Sequence, residues 1–235
     1  MAVIGAGYGS ECHLLRYLGR HRRAFGARVG AALGGEVLEW LDFHFDPSQV
    51  WPDGERRGLD FIEDAALQAA WAARWPQGRG IHAWDAVGRY RVGRETGWLL
   101  VEAKANLEEL ASDCRAKPAG GRGQIEAALA EVKHALGADA SRDWLRGHYQ
   151  RANRVAALHF LGRHGVAARL LYVYFSGDRT PNRTCPADAA GWSAALEEEH
   201  AHLGIPAEAP ILARLHALHL PVVLGASRYV GEEAK

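Results

Sequence analysis

IHAWDAVGRYRVGRETGWLLVEAKA, residues 81–105, places aliphatic and aromatic runs on either side of the polar tetrapeptide Gly-Arg-Glu-Thr at 93–96. That pattern predicts a β-hairpin with strands over 81–92 and 97–105. With the turn centred near Arg94 and Glu95, antiparallel pairing sets Asp85 roughly across from Lys104. Side chains alternate along a strand, so Glu102 and Lys104 share a face with Asp85, while Leu99, Val101 and Ala103 turn to the other face as packing. Two carboxylates and an ammonium thus converge at the open end of one hairpin.

Such a group suits phosphodiester hydrolysis. Asp85 and Glu102 can hold a hard divalent cation, Mg²⁺ or Mn²⁺, with the Ala103 carbonyl as a third oxygen ligand. The metal would polarise the scissile phosphate, and Lys104 would orient water and stabilise developing charge. A plainer account is a solvated cross-strand ion pair between Asp85 and Lys104, worth only about 0.2–1 kcal/mol.

Outward from the hairpin, residues 59–75 carry apolar residues at helical spacing up to Pro76, a helix that would include Glu63. Residues 10–29 read as one amphipathic helix capped at Ser10 with Glu11 just inside it, and 37–45 as a short strand. Residues 124–136 and 141–164 read as helices, and 168–178 as a buried central strand. Helices near 187–203 and 209–218 precede a short β-like tail. On the 141–164 helix Arg142, Arg146, Gln150, Asn153 and Arg154 recur along one side. Arg146 and Arg154 are expected on phosphates, and Gln150 and Asn153 on sugars or bases.

At this point the chain resembles the PD-(D/E)XK nuclease superfamily, through Asp85 in AWDAVGRY and Glu102 with Lys104 in WLLVEAK. The resemblance implies an α/β fold: a restriction-endonuclease-like αβββαβ core with a central mixed sheet flanked by helices. It also implies metal ligation by Glu63, Asp85 and Glu102, Glu63 being the helix-borne acid. Trp84 stands where the motif name has Pro. The resemblance covers residues 59–178, within a single domain over 1–235 that adds an N-terminal helical segment, 1–58, and a C-terminal helical extension, 179–235. It makes Asp85, Glu102 and Lys104 the catalytic set and nucleic acid, DNA first, the partner. A non-catalytic nucleic-acid- or protein-binding module of the same fold is the competing expectation.

The remaining features are weaker. The chain has 235 residues, 48% of them hydrophobic, with 28 basic and 28 acidic side chains, so a protein that coats nucleic acid non-specifically is disfavoured while a local basic surface is not. Three cysteines without CxxC spacing read as reduced thiols, and no apolar segment suggests export or a membrane, so a cytoplasmic location is expected. Oligomeric state is not set by the sequence, and a homodimer is compatible with it. VIGAGYGS at 3–10 only partly matches a dinucleotide fingerprint, leaving an oxidoreductase as a third, weak alternative. Asp42, His44 and Asp46 alternate along a presumed strand, and His200, His202, His216 and His219 read as scattered structural histidines.

Overall fold

A computed structural model describes residues 7–41, 56–78 and 81–222. Its centre is a five-stranded mixed sheet flanked by helices on both faces, the α/β arrangement that the strand and helix patterns predict. In chain order the elements are α1 (Ser10–Arg20), α2 (Arg22–Leu33), β1 (Glu36–Trp40), β2 (Arg56–Arg57), α3 (Ala65–Arg74), β3 (Ala83–Trp84), β4 (Ala86–Val92) and β5 (Glu95–Lys104). They continue with α4 (Arg122–Leu136), α5 (Tyr149–Arg163), β6 (Ala168–Ser176), α6 (Ser193–Leu203) and β7 (Leu215–Pro221). The sheet runs β1-β4-β5-β6-β7, antiparallel through β5 and parallel beyond it.

Alternation along the strands divides the core into two layers. Leu99, Val101 and Ala103 of β5 join Leu171, Val173 and Phe175 of β6 beneath α1 and α2. Leu100, Leu170, Tyr172 and Tyr174 face the other way, into a larger cluster with residues of α3, α4 and α5. Glu102 and Lys104, two and four residues from Leu100, point into this second layer. Such burial on both faces explains why β6 is an almost continuous apolar run.

Several boundaries differ from the sequence reading. The N-terminal helix breaks at His21 into α1 and α2, which lets Phe25, Val29 and Leu33 pack on the same layer as Leu14, Tyr17 and Leu18. Gly9, not Ser10, occupies the cap of α1. The helix read over 59–75 begins only at Ala65, where the Asp64 carboxylate accepts the Leu67 N–H, so Glu63 lies before it. Likewise α5 begins at Tyr149, and Arg142 and Arg146 belong to the preceding turns. Residues 215–218, read as the end of a helix, belong to β7; its parallel pairing with β6 overrides the local propensity and puts His216 and His219 on a strand. Since β1 and β7 are both strands of the central sheet, the sheet extends past the 59–178 boundaries on both sides. Asp42, His44 and Asp46, and residues 3–6 of the N-terminal glycine motif, fall outside the described residues. Among the described residues no helix is long and apolar enough to cross a membrane.

Candidate functional site

The β4–β5 hairpin pairs Val92 with Glu95 around the two-residue loop Gly93–Arg94. Gly93 has φ of 58° while Arg94 has no positive φ, the pattern of a type II′ turn, in which glycine takes the first central position. The loop is centred one residue earlier than expected. Continuing the register Ala86↔Val101 therefore sets Asp85 opposite Glu102 instead of Lys104. A shift of two residues preserves the face, so Asp85 still meets the Glu102–Lys104 side.

Asp85 occupies a bend between two ladders: β3 pairs with β2, whereas β4 pairs with β5. Its backbone N–H donates to the Val101 carbonyl at 3.1 Å, and its Oδ2 accepts the Ala103 N–H at 2.6 Å. Lys104 Nζ donates to Glu102 Oε1 and to Gln150 Oε1, both at 2.6 Å. Arg154 reaches Glu102 Oε2 from the opposite side, with Nε at 2.8 Å and Nη2 at 2.7 Å. The same guanidinium donates to the Ala83 carbonyl and to Asn153 Oδ1, and lies 4.8 Å from the centre of the Trp84 ring. Glu102, Lys104, Asn153 and Arg154 are all buried, and Asp85 keeps partial exposure.

Burial by itself would raise the Glu102 carboxyl, but the charges of Arg154 and Lys104 hold it below its usual range. Asp85 behaves oppositely: desolvation first, and the Glu102 charge second, push it up to about 8 against the pull of Lys104, the Ala103 N–H and Arg154. At neutral pH the cluster therefore sets two cationic side chains against one ionised carboxylate. That local excess of positive charge favours an anion, although the chain as a whole is neutral.

The structure thus brings together Asp85, Glu102, Lys104, Gln150, Asn153 and Arg154. Asn153 and Arg154 are engaged inside the cluster and do not form a solvent-facing phosphate stripe. Arg146 is apart from them: its side chain is 77% exposed, in a turn near Asp143. Glu63 is exposed ahead of α3, and among the described residues no three His, Cys, Asp or Glu side chains are grouped to share a metal ion. The pair Asp85 and Glu102 suits a hard cation that completes its shell with water and phosphate oxygens, and the repulsion that raises Asp85 is what a cation would relieve.

Sequence reasoning missed the grip of Arg154 on Glu102. The signal was present, since Gln150 and Arg154 are four residues apart on one helical face. Drawing the helix from residue 141 assigned that face to nucleic acid instead. It also missed His82, buried among Trp71, Trp75 and Trp84 with neither ring nitrogen hydrogen-bonded; desolvation, then the Arg154 charge, holds its pKa well below the ordinary value. Beyond the end of β5, Glu11, Asn106, Glu108, Glu109 and Arg183 line a hollow of about 350 Å³. Glu109 accepts the Ala105 N–H at 2.9 Å; burial raises its pKa, opposed by that bond and by the Lys104 charge. No family model matches the chain, and no curated protein or solved structure matches it.

Proposed function

We propose that the protein is a divalent-metal-dependent nuclease of the PD-(D/E)XK type, hydrolysing phosphodiester bonds of nucleic acid, with DNA as the expected substrate. The observation that carries this reading is the convergence of Asp85, Glu102 and Lys104, with Gln150 on Lys104, in a buried cluster of positive bias. The order of elements supports it. With the intervening β2, α3, β3 and α4 set aside, α2, β1, β4, β5, α5 and β6 run in αβββαβ order, antiparallel for the first three strands and parallel for the last. This shifts the core to begin with the N-terminal helices. Fold likeness raises the prior only; the side chains carry the chemistry.

In this reading Asp85 and Glu102 hold the metal. A hard divalent cation bound there supplies Lewis-acid polarisation of the phosphate and acidifies the attacking water. Lys104 spends two of its three N–H groups on Glu102 and Gln150, which fixes the ammonium and leaves the third for a phosphoryl oxygen or the nucleophilic water. Arg154 is a positioning residue: its Nε hydrogen bond and Nη2 ion-pair contact on Oε2 fix the orientation of Glu102, and its charge keeps that carboxylate ionised.

A second reading, a non-catalytic module of the same fold, draws on one observation. Both Glu102 oxygens already accept hydrogen bonds from Lys104 and Arg154, as in a structural network. The two readings separate in a cleavage assay on end-labelled single- and double-stranded DNA and RNA with Mg²⁺ or Mn²⁺. The nuclease reading expects wild type to cut at least one substrate and both chelation and Asp85→Asn to stop it. Failure of the wild type on every substrate in both metals would overturn it.

A further inference from the structure

One strand away from Glu102 and Lys104, on the same face of the sheet, lies a second polar group that the proposed reaction does not use. The β5–β6 register pairs Glu102 with Tyr172 and Lys104 with Tyr174. Over these tyrosines, between α5, α6 and β7, is a cavity of about 420 Å³. Its floor is Arg151, Tyr172 and Tyr174, and its walls include Leu196, Leu203 and Leu212.

The floor is charged, buried and incompletely bonded. Arg151 is 6% exposed and Tyr172 3% exposed. The guanidinium stacks on the Tyr172 ring, 3.6 Å from its centre, and reaches the Tyr174 hydroxyl at 3.4 Å. Glu199 neutralises it only at a distance, with 3.6 Å between Nη1 and Oε2. Arg151 Nε and the Tyr172 hydroxyl have no hydrogen-bond partner. A buried donor left in this state is destabilising, and native proteins generally give such groups a partner. An unpartnered guanidinium N–H and an unpartnered hydroxyl call for an acceptor-rich, anionic head, and the leucine walls call for an aliphatic body. Water alone could satisfy the floor but would gain nothing from the walls. The volume falls within the range of small-molecule pockets, about 300–1,000 Å³.

We propose that this cavity is a ligand site for a small amphipathic carboxylate, its head on Arg151 and the Tyr172 hydroxyl and its chain along Leu196, Leu203 and Leu212. The site is separate from the Asp85–Glu102–Lys104 cluster, so its test does not depend on nuclease activity. The measurement is calorimetric titration of the full chain with octanoate, with octan-1-ol and octylamine as matched neutral and cationic probes. Octanoate should bind at one site, octan-1-ol at least about tenfold more weakly, and octylamine not at all, as expected where charged hydrogen bonds contribute about 1.5–3 kcal/mol. Tyr172→Phe retains the ring beneath Arg151 and removes only the hydroxyl; it should weaken octanoate about fivefold, the effect of one hydrogen bond near 1 kcal/mol. Leu212→Trp, at a partly exposed wall position, should block the cavity without touching the floor. No octanoate binding, equal binding of octanoate and octan-1-ol, or full binding by a folded Leu212→Trp would each overturn the proposal and leave a cavity that holds solvent only.

Discussion

Arg154 and Arg151, three residues apart on α5, each face a buried glutamate, and the two pairs are held very differently. Arg154 grips one Glu102 oxygen with an Nε hydrogen bond and a close Nη2 ion-pair contact while Lys104 takes the other oxygen. Arg151 stands off Glu199 at 3.6 Å, and both Arg151 Nε and Glu199 Oε2 lack hydrogen-bond partners. Burial and residue types are alike, so geometry alone makes one pair a rigid, saturated support and the other an open one. Saturation fixes the orientation of a carboxylate that must work; openness leaves donors for something that arrives.

Stability should separate the two pairs. Arg154→Met strips Glu102 of its buried guanidinium partner and is expected to cost about 3–5 kcal/mol in urea denaturation, the usual penalty for breaking a buried ion pair from one side. Arg151→Met gives up a long hydrogen bond, a stacking contact and a loose ion pair, and should cost less, about 1–3 kcal/mol. Equal losses, or the reverse order, would break the comparison.

His82 sharpens it with pH, because it feels the Arg154 charge from within a tryptophan cage. Its folded pKa is depressed, so below the ordinary histidine range the unfolded chain binds a proton that the folded chain refuses. Stability therefore falls as pH drops below about 6.5, at up to about 1.4 kcal/mol per pH unit from this group, until the lowered folded pKa is reached. His82→Phe should flatten that slope and lose no hydrogen bond, since neither ring nitrogen makes one. An unchanged acid limb in denaturation curves at pH 5 and 7 would assign the slope elsewhere.

The smallest expected effect is at Glu63. Calorimetric titration with Mn²⁺ should lose its site in Asp85→Asn, whereas Glu63→Gln should leave affinity within about twofold, because an exposed charge outside the ligand pair is screened by solvent and salt. A large loss in Glu63→Gln would restore the ligand role that the resemblance implied.

How far the sequence reached follows from the range of each interaction. The hairpin was legible because its turn and alternation are local, and a two-residue error in register left the face of Asp85 unchanged. β6 was legible from its length and composition. β7 was not, since its strand character comes from pairing with β6 some 45 residues earlier, not from its own alternation. The start of α5 was missed because the turns before it are set by distant partners, among them the Asp113 carboxylate on Gly147 N–H and the Ser112 hydroxyl on Gln150 N–H. Gln150 was expected on sugars or bases and Arg154 on phosphates, so their contacts with Lys104 and Glu102 were missed. The His13–Asp178 bond, 2.7 Å between residues 165 apart, left no local signal at all.

The central claim, that the Asp85–Glu102–Lys104 cluster hydrolyses phosphodiesters, is tested most directly by comparing wild type with Lys104→Ala at saturating metal and substrate. Arg154 still holds Glu102 when Lys104 is gone, so the variant should fold and bind Mn²⁺ as the wild type does. Its cleavage rate should fall by about 10²-fold or more, the usual cost of removing one positioned transition-state charge. A folded Lys104→Ala that binds metal and cuts as fast as the wild type would contradict the account.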